Sequence, residues 1–233
     1  MNKLPQITLA FWVMKICATT LGETAGDLLS MTLNIGYALS SLLLISLFIL
    51  SLLGQLSTRR YKPALYWTVI LMTSTAGTTI SDFMDRTLGL GYASGSLILI
   101  SLLASVLLVW RLTEKSLSVE HIVSRRAELF YWGAILVSNT LGTALGDYLA
   151  DDSGLGFAGG ALLIGSLLAM VAAAYYRTHL SRVALFWVAF VLTRPFGATL
   201  GDVLTKSTDK GGLDLGTVGL SLIHISEPTR LGM

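Results

Sequence analysis

The chain has 233 residues, of which 53% are hydrophobic and only 13% are charged, and its mean hydropathy is +0.70. Soluble domains carry about 25% charged residues, so this composition excludes an ordinary soluble protein and indicates an integral membrane protein whose main partner is the lipid bilayer. The formal net charge is only +2, and the basic residues are scattered between the apolar runs, which argues against a nucleic-acid partner.

The first apolar run begins near Ile7 and ends in a polar stretch from Thr19 to Asp27. It lacks a small-residue cleavage site and continues directly into this stretch, so we interpret it as a retained transmembrane helix and not as a signal peptide. On a helix, Thr19, Glu23 and Asp27 recur every four residues and form one polar stripe. Such a stripe inside a membrane requires polar partners elsewhere in the chain.

The same pattern occurs four times along the chain. Each copy has an aromatic residue followed by a tryptophan, a glycine ten residues after the tryptophan, and an aspartate five residues after the glycine. The members are Phe11, Tyr66, Tyr131 and Phe186; Trp12, Trp67, Trp132 and Trp187; Gly22, Gly77, Gly142 and Gly197; and Asp27, Asp82, Asp147 and Asp202. The glycines are 55, 65 and 55 residues apart, which indicates two halves, each of them a tandem pair of repeats.

Each repeat is predicted to contain two helices within a single transmembrane domain over residues 1–219. The first helix runs through the tryptophan to the aspartate, and the second follows a short turn, at about 38–53, 93–109 and 158–175. The repeats span about residues 5–55, 61–111, 126–177 and 181–219, which gives seven complete helices and the start of an eighth at 213–219. Ser46, Ser101 and Ser166 occupy matched positions in the second helices and predict close helix packing.

The basic residues predict the orientation in the membrane. Ten of them, including Lys3 and Arg59, lie at the N-terminus or between repeats, whereas the short loops within repeats hold only Arg86, Lys206 and Lys210. By the positive-inside rule, the N-terminus and the segments between repeats face the cytoplasm of a bacterial inner membrane. If the aromatic pairs form an interfacial belt, the glycines lie about 15 Å deeper, near the midplane of a hydrocarbon core about 30 Å thick. The alternative is that Asp27 only caps the outer end of the first helix.

The last residues, 220–233, are interpreted separately. The stretch LSLIHISEPTR, residues 220–230, looks like the translation of a transposase adapter used in DNA sequencing libraries. We therefore predict that this tail is non-native and that the natural chain continues into the eighth helix, and we leave the tail out of the functional interpretation. The alternative is a genuine short tail.

The fourfold Trp, Gly and Asp pattern resembles a family of bacterial integral membrane proteins built from four tandem two-helix repeats, catalogued as a repeat of unknown function. The resemblance covers residues 1 to about 219 and implies an all-α, polytopic transmembrane bundle. It implies no biochemical activity. Because a two-helix repeat keeps the same orientation each time, we expect a pseudo-fourfold arrangement or a dimer of tandem pairs. Whether the protein forms homo-oligomers is left open.

Ionisable residues in the first helices of the repeats mark the candidate site. Five acids lie there, namely Glu23 and the four motif aspartates, together with the bases Lys15 and Arg194. Each such residue costs about 2.5–3.5 kcal/mol at the bilayer centre, so a pairing or functional role is expected. We predict that Lys15 and Arg194 neutralise two carboxylates as buried ion pairs, and that the other acids bind protons, water or a cation.

Further candidates along the same path are Thr19, Thr75 and Asn139. Together with the carboxylates they offer oxygen ligands, which suit protons or hard cations such as Mg²⁺, Mn²⁺ or Ca²⁺; the sequence does not specify a metal. The motif glycines have two interpretations. They let the helices approach closely, or, with Pro195, they loosen the helices so that backbone carbonyls line a cavity.

The favoured function is a small transporter or channel-like protein that moves a cation or a proton-coupled solute through a polar path lined by the first helices of the repeats. The alternative is a structural or regulatory membrane scaffold without transport activity. An enzyme is not expected, because no Ser/His, H-E-x-x-H or Walker motif is present. No catalytic residue and no cofactor is assigned.

Overall fold

The computed structural model describes residues 4–58, 60–119, 122, 124–208 and 211–216. This part of the chain contains seven α-helices. They are α1 (Leu9–Asp27), α2 (Tyr37–Ser57), α3 (Pro63–Asp82), α4 (Tyr92–Glu114), α5 (Arg125–Asp147), α6 (Gly156–Arg177) and α7 (Arg182–Thr205). Short π-helical turns directly follow α1, α3 and α5. The two-helix repeats and the all-α fold predicted from the sequence are confirmed.

Local sequence explains where the helices begin. The hydroxyls of Thr8, Ser124 and Ser181 accept hydrogen bonds from backbone N–H groups in the first turns of α1, α5 and α7, and α3 begins with Pro63. In contrast, α2 follows Gly36, whose φ of 82° turns the chain sharply before the helix starts. The repeat therefore alternates capped helix starts with glycine turns.

The four odd-numbered helices form a closed ring. α1 packs against α3 and α7, and α5 packs against the same two helices on the opposite side. The even-numbered helices lie outside the ring, with α2 on α3, α4 on α5 and α6 on α7. Each even helix thus covers the odd helix of the following repeat, which gives the bundle its pseudo-fourfold arrangement.

Apolar and polar side chains are distributed as in a membrane protein with a polar interior. Four helices, α2, α4, α6 and α7, are long and apolar enough to cross a membrane. The even helices expose apolar side chains such as Leu42, Leu50 and Leu97 on the outside of the bundle. α1, α3 and α5 have similar lengths of 19, 20 and 23 residues, but they are less apolar because their polar stretches are buried inside the ring.

The packing role predicted for three serines is wrong. Ser46, Ser101 and Ser166 are exposed on the outside of α2, α4 and α6. Each hydroxyl donates to the carbonyl four residues earlier in its own helix. This intrahelical bond satisfies the hydroxyl in lipid, so no neighbouring helix is required.

The aromatic pairs form a layer near the N-terminal ends of the odd-numbered helices, in which Trp12, Trp67 and Phe186 are half-buried and the other five are buried. Their position at the membrane interface stays a prediction. The first aromatic of each pair contacts the tryptophan of the next repeat, with ring centroids 5.8 Å apart for Phe11 and Trp67 and 5.5 Å apart for Tyr66 and Trp132. The Tyr66 and Tyr131 hydroxyls are 2.6 Å apart and hydrogen bonded. We call Phe11, Tyr66, Tyr131 and Phe186 the aromatic layer; it closes one end of the ring.

The C-terminal prediction is only partly within the described residues. An eighth helix was predicted from residue 213, but residues 213–216 are not helical. The remainder of that helix, 217–219, and the predicted tail, 220–233, lie outside the described residues, as do Lys3, Arg59 and Lys210.

Candidate functional site

Inside the ring, side chains lie in layers with one residue from each odd helix. Residues four apart share a helix face, so a new layer follows every four residues beyond the aromatic layer. They are the lysine layer (Lys15, Ile70, Ile135, Phe190), the arginine layer (Thr19, Ser74, Asn139, Arg194), the glutamate layer (Glu23, Thr78, Thr143, Ala198) and the aspartate layer (Asp27, Asp82, Asp147, Asp202). All sixteen of these side chains are buried.

The motif glycines bring neighbouring odd helices together. A Cβ atom added at Gly22 would overlap Ser74 of α3, and one added at Gly197 would overlap Thr19 of α1. At Gly77 the added atom would lie 2.9 Å from a backbone nitrogen of α5. α7 continues as one helix through Pro195. The geometry therefore favours the packing interpretation of the glycines over loosened helices.

Arg194 connects all four odd helices at the centre of the ring. It is fully buried on α7, and its Nη2 lies 2.8 Å from Oε2 of Glu23 on α1. Nη2 also lies 2.5 Å from the hydroxyl of Thr78 on α3 and 2.8 Å from that of Thr143 on α5, so its two hydrogens are shared among these hydroxyls and Glu23. Nη1 donates to the carbonyl of Thr19 at 3.0 Å. The arginine and glutamate layers thus form one hydrogen-bonded closure across the axis.

Lys15 does not form the predicted ion pair with a carboxylate within the described part of the chain. Its Nζ donates to Oδ1 of Asn139 at 3.3 Å and lies 4.0 Å from the ring centroid of Phe190. Asn139 in turn donates to the hydroxyl of Thr73 at 2.9 Å. Eight residues separate Lys15 from Glu23, about 12 Å along a helix, and the arginine layer lies between them. Lys15 therefore belongs to a separate polar cluster near the aromatic layer.

Substituting Lys15 with methionine is expected to leave the free energy of unfolding unchanged within about 1 kcal/mol. The buried amine has a single long hydrogen bond, and methionine fills the space of its aliphatic chain without the cost of desolvating a charge. Thermal unfolding in detergent micelles measures this change. A loss above about 2 kcal/mol would show that the amine has a strongly stabilising partner.

The motif aspartates surround one cavity at the end of the ring opposite the aromatic layer. Asp27, Asp147 and Asp202 line a cavity of about 130 Å³, and Glu23 lies at its inner end. Asp82 adjoins it through Arg86, which also lines the cavity. One oxygen from each of Glu23, Asp147 and Asp202 lies within 4.8 Å of the other two.

Arg86 completes one side of the aspartate layer. Its Nε lies 3.0 Å from Oδ1 of Asp82, and its Nη2 lies 3.3 Å from Oδ2 of Asp147 on the neighbouring helix. Sequence reasoning counted Arg86 only as a loop charge. Its position four residues after Asp82 was the signal that could have placed it here, because residues four apart on a helix are neighbours.

Lys206 has the same role on the opposite side. Its Nζ lies 2.7 Å from Oδ2 of Asp27 and 3.3 Å from Oδ1 of Asp202, the aspartate four residues before it. Burial lowers the pKa of Lys206, but Asp202 and Asp27 raise it more, so the pKa lies above its usual range and the amine stays protonated at neutral pH. Asp27 is the last residue of α1, yet its carboxylate pairs with Lys206 in addition to marking the helix end.

Two of the predicted polar candidates differ in their roles. Thr75 is buried, but its hydroxyl donates to the carbonyl of Leu71 in its own helix, and Ser74 takes the expected place in the arginine layer. Thr19 contributes its carbonyl to Arg194. Sequence reasoning missed Thr78 and Thr143, although both follow a motif glycine directly and therefore match Glu23 in the repeat.

Comparison with known families matches four segments of the chain to the family described as Repeat of Unknown Function (DUF347). The matched segments are residues 10–61, 65–116, 130–181 and 185–226, one for each repeat. No curated protein and no solved structure matches the chain.

Proposed function

This chain belongs to the Repeat of Unknown Function (DUF347) family, and we propose that it is a small transporter or channel-like protein of the bacterial inner membrane. It moves a cation, or a solute coupled to protons, along the axis of the odd-helix ring. The observation that carries this proposal is a buried polar axis in which carboxylates outnumber cations and open into one cavity. We assign it no enzymatic activity.

The position of the polar groups supports a path more than simple anchoring of helices. Charged side chains inside membrane proteins normally face a bundle interior or water-filled cavity and mark ion pathways. Here Glu23 and the aspartates lie on the inside of the ring, whereas the outer faces of α2, α4 and α6 are apolar. With the N-terminus in the cytoplasm, as the positive-inside rule favours, the aspartate cavity faces the opposite side of the membrane.

For a transporter, this arrangement would be the closed state of the proposed path. The arginine and glutamate layers close the ring at its centre, and the aromatic layer closes it again toward the N-terminal side. A cation that enters the cavity meets Glu23, whose Oε2 is held by Arg194. Passage therefore requires Arg194 to release Glu23, and the cation competes with the guanidinium for the same carboxylate.

A membrane scaffold is the second candidate, and one observation favours it. Arg194 on α7 bonds to groups on α1, α3 and α5, which is the arrangement expected of residues that lock four helices together. In that case the carboxylates stabilise the bundle and nothing crosses it.

Reconstitution into proteoliposomes separates the two functions. Entry of Mn²⁺ is measured by the quenching of a dye inside the vesicles. Proton movement is measured with a pH-sensitive dye in parallel vesicles. We expect flux from the parent chain and at least a tenfold loss, about 1.4 kcal/mol in the barrier, for Glu23→Gln, because the substitution removes the carboxylate at the inner end of the cavity. Ser46→Ala on the lipid-facing side of α2 is the matched control and should conduct like the parent.

The scaffold function predicts a different result. The parent then moves neither Mn²⁺ nor protons above protein-free vesicles, and Glu23→Gln changes only the unfolding temperature. Equal flux through the parent and Glu23→Gln would contradict the proposed path.

A further inference from the structure

We propose that the aspartate cavity binds one divalent, oxygen-preferring cation between Glu23, Asp147 and Asp202. This inference rests on the proposed function and deepens it by naming the ion class and its protein ligands. The three carboxylates come from α1, α5 and α7, so the ion joins three helices of the ring.

The spacing of the carboxylates fits one ion. One oxygen from each of Glu23, Asp147 and Asp202 lies within 4.8 Å of the other two. Mg²⁺ and Ca²⁺ bind oxygen at about 2.0–2.6 Å, so oxygens on opposite sides of such an ion are about 4–5 Å apart. The three side chains therefore need only small rotations to share one ion.

Each of these carboxylates also has an oxygen left for a ligand. Oε2 of Glu23 pairs with Arg194, Oδ2 of Asp147 with Arg86, and Oδ1 of Asp202 with Lys206. Among the described residues, no donor bonds to Oε1 of Glu23, Oδ1 of Asp147 or Oδ2 of Asp202.

These free oxygens belong to side chains that are largely buried, and none of them is sealed off from the cavity. The three side chains are only 3%, 5% and 4% exposed, respectively, and all three line the cavity. Carboxylate oxygens that border a cavity and have no protein donor can take a partner from the cavity. A cation supplies that partner for all three at once.

The charge balance favours a divalent ion. With all carboxylates ionised, five buried ones, Glu23 and the aspartate layer, face three protonated bases, Arg194, Arg86 and Lys206, and the exposed Asp151 adds a sixth at the cavity. Two buried negative charges remain, and one divalent cation neutralises both, whereas a monovalent ion leaves one buried charge uncompensated. The ligands are oxygens without thiolate or imidazole, which suits Mg²⁺, Mn²⁺ or Ca²⁺.

Binding of Mn²⁺ to the purified full chain in detergent micelles tests the site. The electron paramagnetic resonance signal of free Mn²⁺ falls as the ion binds, and a titration of this signal gives the affinity and the stoichiometry. The cavity offers two matched pairs of variants. Asp147→Asn and Asp82→Asn each remove one of the two partners of Arg86, and Asp202→Asn and Asp27→Asn do the same for Lys206.

Only one member of each pair belongs to the proposed ligand set. We expect one Mn²⁺ per chain, and at least about a tenfold loss of affinity for Asp147→Asn and Asp202→Asn, since even outer-shell changes cost that much at metal sites. Asp82→Asn and Asp27→Asn should lose less than about threefold, because they alter only the surrounding charge. Equal losses of Mn²⁺ affinity in all four variants would show diffuse electrostatic attraction without coordination and would overturn the site. A parent chain that binds no Mn²⁺, with two protons balancing the charge instead, would also overturn it.

Thermal unfolding shows whether Asp147→Asn and Asp202→Asn fold. If either does not, displacement of bound Mn²⁺ from the parent chain by other cations tests the site instead. Mg²⁺ or Ca²⁺ should displace the bound Mn²⁺, whereas K⁺ at the same ionic strength should not. Displacement by K⁺ would overturn the site. Mn²⁺ binding without any flux would contradict the transport function but leave the cation site standing. Flux without Mn²⁺ binding would contradict the cation site but leave the transport function standing, so the two proposals can fail separately.

Discussion

Replacing Arg194 with methionine is expected to lower the free energy of unfolding by about 3–5 kcal/mol. The guanidinium is fully buried and bonds to Glu23, Thr78 and Thr143 and to backbone carbonyls of the neighbouring helices. Methionine leaves the Glu23 carboxylate buried, and among the described residues only the hydroxyls of Thr78 and Thr143 then donate to it, at 3.2 and 3.3 Å. Removing one partner of a buried pair is more damaging than replacing both, because the remaining charge is uncompensated.

A double variant checks that explanation. Glu23→Gln combined with Arg194→Met removes both charges, and we expect it to recover at least half of the loss. Thermal unfolding in the same detergent compares the single and double variants with the parent. A single-variant loss below about 1 kcal/mol would contradict the role of Arg194 as the central closure. The contrast with Lys15→Met, for which little change is expected, separates a buried base that is paired with a carboxylate from one that bonds to a neutral amide.

Substituting Gly142 with alanine is expected to cost about 1–3 kcal/mol. The added Cβ would lie 2.5 Å from Cβ of Arg194 and 3.0 Å from Cδ of Pro195 on α7. Neither atom can move without shifting the backbone of α7, because both lie close to the main chain. The displaced helix would also carry Arg194 away from Glu23, so the variant should disturb the central closure.

Gly133 provides a control in the same helix. A Cβ added there meets nothing within 4 Å. Since alanine has the higher helix propensity, Gly133→Ala should be neutral or stabilise the protein by up to about 1 kcal/mol. Thermal unfolding of both variants measures the difference. If the two substitutions had the same effect, the close approach of α5 and α7 at Gly142 would be contradicted.

The repeat made most of the fold predictable. Fixed offsets from Trp12 to Gly22 and Asp27 recur in every copy, so the two-helix unit follows from the sequence alone, and the ring of equivalent helices is one of the two arrangements that the sequence allowed. The same offsets place Asp27 and its three equivalents at one depth, where the structure has one cavity. Equivalent residues of a repeat occupy equivalent positions, so the position of one gives the positions of the other three. These predictions therefore needed no tertiary information.

The departures from the repeat were harder to predict. Lys15 and Arg194 each occur in one copy only. Their offsets of seven and three residues before the motif glycine place them in adjacent layers, but do not show that Lys15 bonds to Asn139 and Arg194 to Glu23. Arg86 and Lys206 were interpreted as loop charges because they follow the apolar stretches, although a helical turn continues past the aspartates. Partner choice for long charged side chains depends on helix rotation and depth, which sequence spacing does not give.

The asymmetry carries the functional argument. A strictly fourfold ring would place four identical groups around the axis at every layer. The chain instead has one glutamate and one arginine at the centre of the ring, and only two bases, Arg86 and Lys206, pair with the four aspartates. These differences create an uneven cavity in which three carboxylates converge, and the proposed ion lies there.

An anomalous difference map from crystals of the full chain soaked in Mn²⁺ would locate the proposed ion. We expect a peak within about 2.0–2.6 Å of oxygens from Glu23, Asp147 and Asp202. A map with no peak in the aspartate cavity, from crystals that bind Mn²⁺ elsewhere, would contradict the proposed site.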